Sequence, residues 1–147
     1  MRIPVFRTTV IAVCSAASLL PAGVAISQNA PANDSTADDE SRLAGTWRGD
    51  SLCVEKGTAC HDEIAVYRIA AIPGKRGYLL VTGGKVVDGK EIVMGSGEWR
   101  YDSGKHTLTG ELPRGVITLK LDGDKLEGTF TLPDKTVLRR ITLKKSD

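Results

Sequence analysis

The residues with the clearest potential for chemistry lie together between positions 53 and 63. Cys53 and Cys60 are followed directly by His61, Asp62 and Glu63. Thiolate, imidazole and carboxylate groups are metal ligands, so this cluster could hold a cation. However, no second Cys/His pair completes a tetrahedral site, and two nearby cysteines of an exported protein favour a disulfide. We therefore predict a Cys53–Cys60 disulfide, no metal and no other cofactor.

Signatures of catalysis are scarce in the rest of the chain. The sequence contains two histidines, His61 and His106, and it has neither a zinc-protease motif nor a phosphate-binding glycine loop. His61 and the two carboxylates after it could supply acid–base groups, but adjacent residues at the start of a strand point to opposite faces. The sequence therefore predicts a protein that is not an enzyme.

The amino-terminal segment predicts export. Residues 1–7 carry two arginines and no acidic residue, and residues 8–20 are uncharged and largely apolar. These are the charged and apolar regions of a signal peptide, and the small residues Ala25 and Ser27 suit cleavage after Ser27. We predict a signal peptide over 1–27 and a periplasmic or secreted mature protein.

Two alternatives for this segment fit less well. An uncleaved membrane anchor needs about 20 predominantly apolar residues, whereas this stretch is diluted by Thr, Ser, Pro and Gly. A lipoprotein signal requires a small residue before its cysteine, but Cys14 follows Val13. The mature chain is therefore not expected to insert stably into a membrane.

Residues 28–42 are rich in Asn, Ala, Ser, Thr and Asp and show no apolar periodicity. Such a segment cannot bury enough apolar surface to order itself, so we predict a disordered arm. The net charge of the whole sequence is +2, and its charges are interspersed without a basic block. This pattern excludes a typical nucleic-acid partner.

The remaining residues, 43–147, have the pattern of a small all-β domain. Short segments rich in Val, Ile, Leu and Thr alternate with turns containing Gly, Asp, Lys and Pro. We predict an eight-stranded antiparallel up-and-down barrel with glycine-assisted bends, such as at Gly110 and Gly128. The predicted strands are 45–54, 64–72, 77–87, 91–101, 105–112, 115–121, 124–132 and 136–144.

The inward face of the second strand can be assigned in two ways. Arg68 is in phase with Ile64 and Val66, whereas Tyr67 is in phase with Ala65 and Ile69. If the first set faces inward, Arg68 needs a carboxylate or an anionic ligand inside the barrel. If the second set does, Arg68 is solvated.

The first and last strands carry a motif. Gly45 and Trp47 open the first strand, and Arg139 and Arg140 lie on the last. This pattern resembles the calycin superfamily, which includes lipocalins, fatty-acid-binding proteins, avidins and periplasmic inhibitors of bacterial metalloproteases. The resemblance implies that Trp47 lies under an arginine of the last strand and closes one barrel end. Arg139 is the better match because it is in phase with the apolar residues of its strand.

The resemblance implies two functions. The first is a non-enzymatic barrel that binds a small apolar or amphipathic ligand, since an eight-stranded barrel either fills with side chains or holds one small ligand. The second is a protein-interaction module that acts through the arm at 28–42 or the rim loops, as the metalloprotease inhibitors do. The candidate ligand-binding residues are Trp47, Tyr67, Trp99, Tyr101 and Arg139.

Overall fold

The computed structural model describes residues 34–55 and 59–146. The predicted signal peptide and residues 28–33 of the predicted arm lie outside this part of the chain. The elements are α1 (Asp34–Leu43), β1 (Gly45–Cys53), β2 (Glu63–Ala71), β3 (Tyr78–Val87), β4 (Lys90–Asp102), β5 (Thr107–Leu112), β6 (Gly115–Asp122), β7 (Lys125–Thr131) and β8 (Val137–Ser146).

The eight strands form a closed antiparallel barrel in which each strand pairs with the next and β8 pairs with β1. The predicted fold class is confirmed. On β6, Gly115, Ile117, Leu119 and Leu121 are buried and the residues between them are exposed, as a strand with one wet face requires. Such alternation fixes which side of each strand forms the core.

The two barrel ends are different. At the end where β1 begins, which we call the plugged end, the turns are 72–77, 103–106 and 123–124, and α1 lies against them. At the other, open end, the described connecting residues are 54–55, 59–62, 88–89, 113–114 and 132–136. Among the described residues, no helix is both long and apolar enough to cross a membrane.

The helix α1 corrects the prediction of a disordered arm for residues 34–42. Its side chains bond to each turn of the plugged end: Glu40 to the amide of Gly77 (2.7 Å), Thr36 to the hydroxyl of Ser103 (3.1 Å) and Arg42 to the carbonyl of Gly123 (3.1 Å). Leu43, at the end of α1, is fully buried. The polar composition suggested disorder because these partners are far away in sequence.

The structure also settles the face of β2. Ala65, Tyr67 and Ile69 are buried in the core, and Arg68 points outward. Its guanidinium donates to the carboxylate of Glu91 on β4, with 2.9 Å from Nη2 to Oε2. The hydrogen bond from Arg68 lowers the pKa of Glu91. Arg68 therefore needs no ligand inside the barrel.

The predicted disulfide is present. Cys53 and Cys60 are bonded with their Cα atoms 6.0 Å apart, which closes the connection after β1 at the open end. Neither sulfur is therefore available as a thiolate ligand for a metal. On the chain-entropy model a loop of this size contributes roughly 2.5 kcal/mol to stability.

Candidate functional site

The expected stacking of Arg139 on Trp47 is wrong. Trp47 is fully buried at the plugged end, where its indole N–H donates to the carbonyl of Leu43 at 2.7 Å. Because β8 runs antiparallel to β1, the residue opposite Trp47 is Lys145, and Arg139 lies opposite Cys53. The Lys145 ammonium is 5.8 Å from the centre of the Trp47 ring. The cation over the tryptophan therefore comes from the end of β8.

Arg139 forms hydrogen bonds between neighbouring strands at the open end. Its guanidinium donates to the carbonyl of Ser51 at 3.1 Å and to the carboxylate of Glu63 at 3.3 Å. Lys85 donates to the same Glu63 oxygen at 3.3 Å. These contacts join four strands, β8, β1, β2 and β3. The alternative match, Arg140, lies opposite Leu52, only one residue nearer to Trp47 along β1, and is therefore also far from the indole.

Tyr101 belongs to the plugged end. Its hydroxyl donates to Oδ2 of Asp39 on α1 at 2.9 Å, and Nδ1 of His106 lies 3.0 Å from the same oxygen. Burial, together with the hydrogen bond to Asp39, raises the pKa of Tyr101, so its phenol stays a donor. Three of the five candidate residues, Trp47, Tyr101 and Arg139, thus make structural contacts within the fold.

The other two candidates, Tyr67 and Trp99, meet edge to face with ring centroids 5.6 Å apart. They lie at the inner side of a crevice of about 440 Å³. The crevice is lined by Tyr67, Val81, Gly83, Met94, Gly95, Ser96, Gly97, Glu98, Trp99, Glu111, Leu112, Pro113 and Ile117.

The crevice exists because β4 and β5 separate. β4 has 13 residues and β5 has six, and they pair only from Arg100–Thr109 to Asp102–Thr107. Before Arg100, β4 pairs with β3 alone. We call the gap between β4 residues 94–99 and β5–β6 residues 110–113 the seam. It opens the barrel wall beside the aromatic pair.

Gly110 makes room for the Trp99 ring. A Cβ atom at Gly110 would lie 2.2 Å from Trp99 Cε2 and 2.3 Å from Cδ2. The indole therefore lies across the main chain of β5, at the position where the β4–β5 ladder ends. Sequence reasoning identified Gly110 only as a bend. A glycine facing a tryptophan on the next strand was the signal that could have found this contact.

The rim of the seam is apolar, and the charged side chains that line the crevice are carboxylates. Met94 is 59% exposed and Leu112 is 39% exposed, and Ile92 and Val93 extend the apolar surface along β4. Of the described residues that line the crevice, the charged ones are Glu98 and Glu111. No cation of the described chain lines it.

Two other depressions are less suited to a ligand. One, of about 520 Å³, is a wet groove on the outer face of β6–β8 that includes Lys120, Glu127 and Arg140. The other, of about 360 Å³, lies at the open end beside Cys60 and Phe130. Neither is lined by a pair of buried aromatic rings such as Tyr67 and Trp99.

No protein-family model matches the chain, and no curated protein sequence matches it either. Function therefore has to be inferred from the chemistry of the seam.

Because Tyr67 is buried, the free energy of unfolding is expected to fall at alkaline pH. Burial raises the pKa of Tyr67 to about 12. The positive charge of Arg139 acts in the opposite direction and lowers this pKa, and the negative charge of Glu63 raises it by a smaller amount. The unfolded phenol has a pKa of about 10 and loses its proton first as the pH rises. Its contribution to stability is thus complete below about pH 10 and lost by about pH 12, roughly 2–3 kcal/mol in all.

The measurement is the free energy of unfolding in urea at several pH values between about 8 and 12. Tyr67→Phe is the matched variant because it keeps the ring and lacks the ionisable group. We expect the unmodified protein to lose stability more steeply above about pH 10 than this variant. Parallel curves would show that Tyr67 ionises normally.

Proposed function

We propose that the protein is an exported, non-enzymatic, calycin-like barrel that binds a small apolar or amphipathic ligand in the seam. The observation that carries this proposal is the crevice of about 440 Å³ beside Tyr67 and Trp99. Small-molecule sites are usually concave, mostly apolar and between about 300 and 1,000 Å³. Exposed Met94 and Leu112 line the same crevice as the aromatic pair and add to the apolar surface that a ligand can contact.

Export is part of the proposal. The Cys53–Cys60 disulfide supports an oxidising compartment, since such bridges persist mainly in exported proteins. Together with the charge and apolar pattern of residues 1–27, it favours a periplasmic or secreted protein.

The contacts of α1 disfavour an inhibitor that works through a free arm. Thr36, Asp39, Glu40 and Arg42 all form hydrogen bonds within α1 or to the barrel. Inserting this segment into another protein would first break its bonds to three turns. The seam needs no such rearrangement.

Filling the seam should weaken ligand binding. A Cβ at Gly97 would meet nothing closer than Trp99 Nε1 at 4.0 Å, so Gly97→Leu places a side chain in the crevice without a main-chain clash. We expect this variant to bind N-phenyl-1-naphthylamine at least about tenfold more weakly than the unmodified protein. The measurement is a titration followed by the rise in probe emission in apolar surroundings.

Gly104→Leu is the matched control because it makes the same change in a turn of the plugged end. Its nearest described contact is an Asp102 carboxylate oxygen at 3.5 Å. We expect its probe affinity to stay within about twofold of the unmodified protein. Unchanged binding by a folded Gly97→Leu variant would contradict a ligand site in the seam.

A further inference from the structure

The main chain of β4 presents hydrogen-bonding groups to the seam that pair with no strand in the described part of the chain. The amide of Tyr101 donates to the carbonyl of Gly77, on the β3 side, at 2.8 Å. Successive main-chain amides of a strand point to opposite sides, so those of Arg100, Glu98 and Ser96 point away from β3. Arg100 meets β5 there, but the ladder ends with it. The amides of Ser96 and Glu98 therefore face the seam beyond the end of that ladder.

The opposite wall of the seam is also a strand edge. β5 pairs with β4 through Thr107, Leu108 and Thr109 and with β6 along its whole length. Residues 110–112 thus have a strand partner on one side only. The crevice lies between two strand edges whose remaining donors and acceptors match those of an extended main chain.

We propose that the ligand is an extended peptide segment that adds alongside β4 at Ser96–Glu98 and places one apolar side chain in the crevice. This inference rests on the proposed function and adds the chemical class of its ligand. Strand addition takes affinity from main-chain hydrogen bonds and selectivity from pockets for alternate side chains. The seam supplies both, with Tyr67 and Trp99 forming the pocket.

The charges of the seam favour a peptide over an anionic lipid. Glu98 and Glu111 are the charged residues that line the crevice in the described chain. Glu98 is paired with Lys75, whereas no bond is formed by Glu111 within the described part of the molecule. Among the described residues no cation lines the crevice, so the carboxylate of a fatty acid would meet only a lysine that already pairs with Glu98. Neutral amides and lysines at the peptide ends fit these carboxylates.

Ser96→Pro tests the strand edge. Proline removes the amide that faces the seam, and proline is tolerated on edge strands because no ladder bond is lost. The probe is a fluorescent, amidated peptide, Lys-Thr-Val-Thr-Leu-Thr-Lys, measured by anisotropy. We expect Ser96→Pro to bind it about tenfold more weakly, as the loss of one main-chain hydrogen bond implies.

Ser96→Ala is the matched control. Both variants lose the contact between the hydroxyls of Ser96 and Thr82, at 2.8 Å, but only proline lacks the amide. We expect Ser96→Ala to bind the peptide within about twofold of the unmodified protein, and all three proteins to bind N-phenyl-1-naphthylamine equally. Equal peptide affinity for the proline and alanine variants would overturn the inference.

A second measurement does not depend on the folding of a variant. The same peptide, N-methylated at every amide, keeps its side chains and loses its donors, and we expect it not to bind the unmodified protein. Equal binding of the two peptides would overturn strand addition. Naphthylamine binding without peptide binding would overturn this inference alone, and binding of neither probe would overturn the proposed function together with it.

Discussion

Trp47→Ala is expected to lower the free energy of unfolding by about 3–5 kcal/mol, the cost of truncating a fully buried aromatic side chain. Trp47 is 0% exposed and packs beneath the end of α1. Its loss leaves a cavity at the plugged end and removes the donor to the carbonyl of Leu43. The measurement is urea unfolding followed by far-ultraviolet circular dichroism.

Two further variants separate the contributions around this indole. Trp47→Phe keeps most of the apolar surface and leaves the Leu43 carbonyl without its donor, so we expect a loss of about 1–3 kcal/mol. Lys145→Met removes the cation over the ring together with its hydrogen bond to the carbonyl of Arg42, and it should cost about 1 kcal/mol or less because the ammonium is exposed. A loss under about 1 kcal/mol for Trp47→Ala would show that this residue does not close the barrel.

Gly110→Ala should damage both the fold and the seam. The added Cβ would lie 2.2 Å from the Trp99 ring, so the indole has to move out of its place across β5. Overpacking of this kind costs about 1–3 kcal/mol, and we expect a value near the upper limit because the ring is buried. Binding of N-phenyl-1-naphthylamine should weaken as well, since Trp99 lines the crevice.

A double-mutant cycle checks that the clash is with Trp99. In a Trp99→Ala background the ring is absent, and Gly110→Ala should then cost less than about 1 kcal/mol. The free energies of unfolding of the two single variants and the double variant give the coupling. Additive losses would place the strain elsewhere in β5.

The strands were predictable because their signals are local. Alternating apolar residues and turns such as Asp88–Gly89 mark each strand in the sequence, and in the structure these two residues adopt positive φ angles of 50° and 75°. The predicted and observed strands differ by at most a few residues at their ends. The disulfide was predictable for the same reason, since its two cysteines lie close together in the chain.

The candidate site was only partly predictable because it depends on pairing between strands. Tyr67 and Trp99 were identified as aromatic residues able to line a pocket, and they line the crevice. The positions of Trp47 and Arg139 required the register of β1 against β8, which residue type and phase do not supply. The seam depends on how far along their length β4 and β5 pair. They pair at only three positions in the described structure, and the sequence does not show where this pairing ends.

The unpaired edge of β4 also bears on solubility. A free strand edge is a template for another copy of the same chain, and proteins limit this hazard with charges and bulges along the edge. β4 has both: its register against β3 shifts between Gly83 and Gly84, and its Glu91 and Glu98 form ion pairs with Arg68 and Lys75. Edge-to-edge aggregation would have to bury both charges, whereas a short peptide added at Ser96–Glu98 can end before it reaches Glu91 and can meet Glu98 with a lysine.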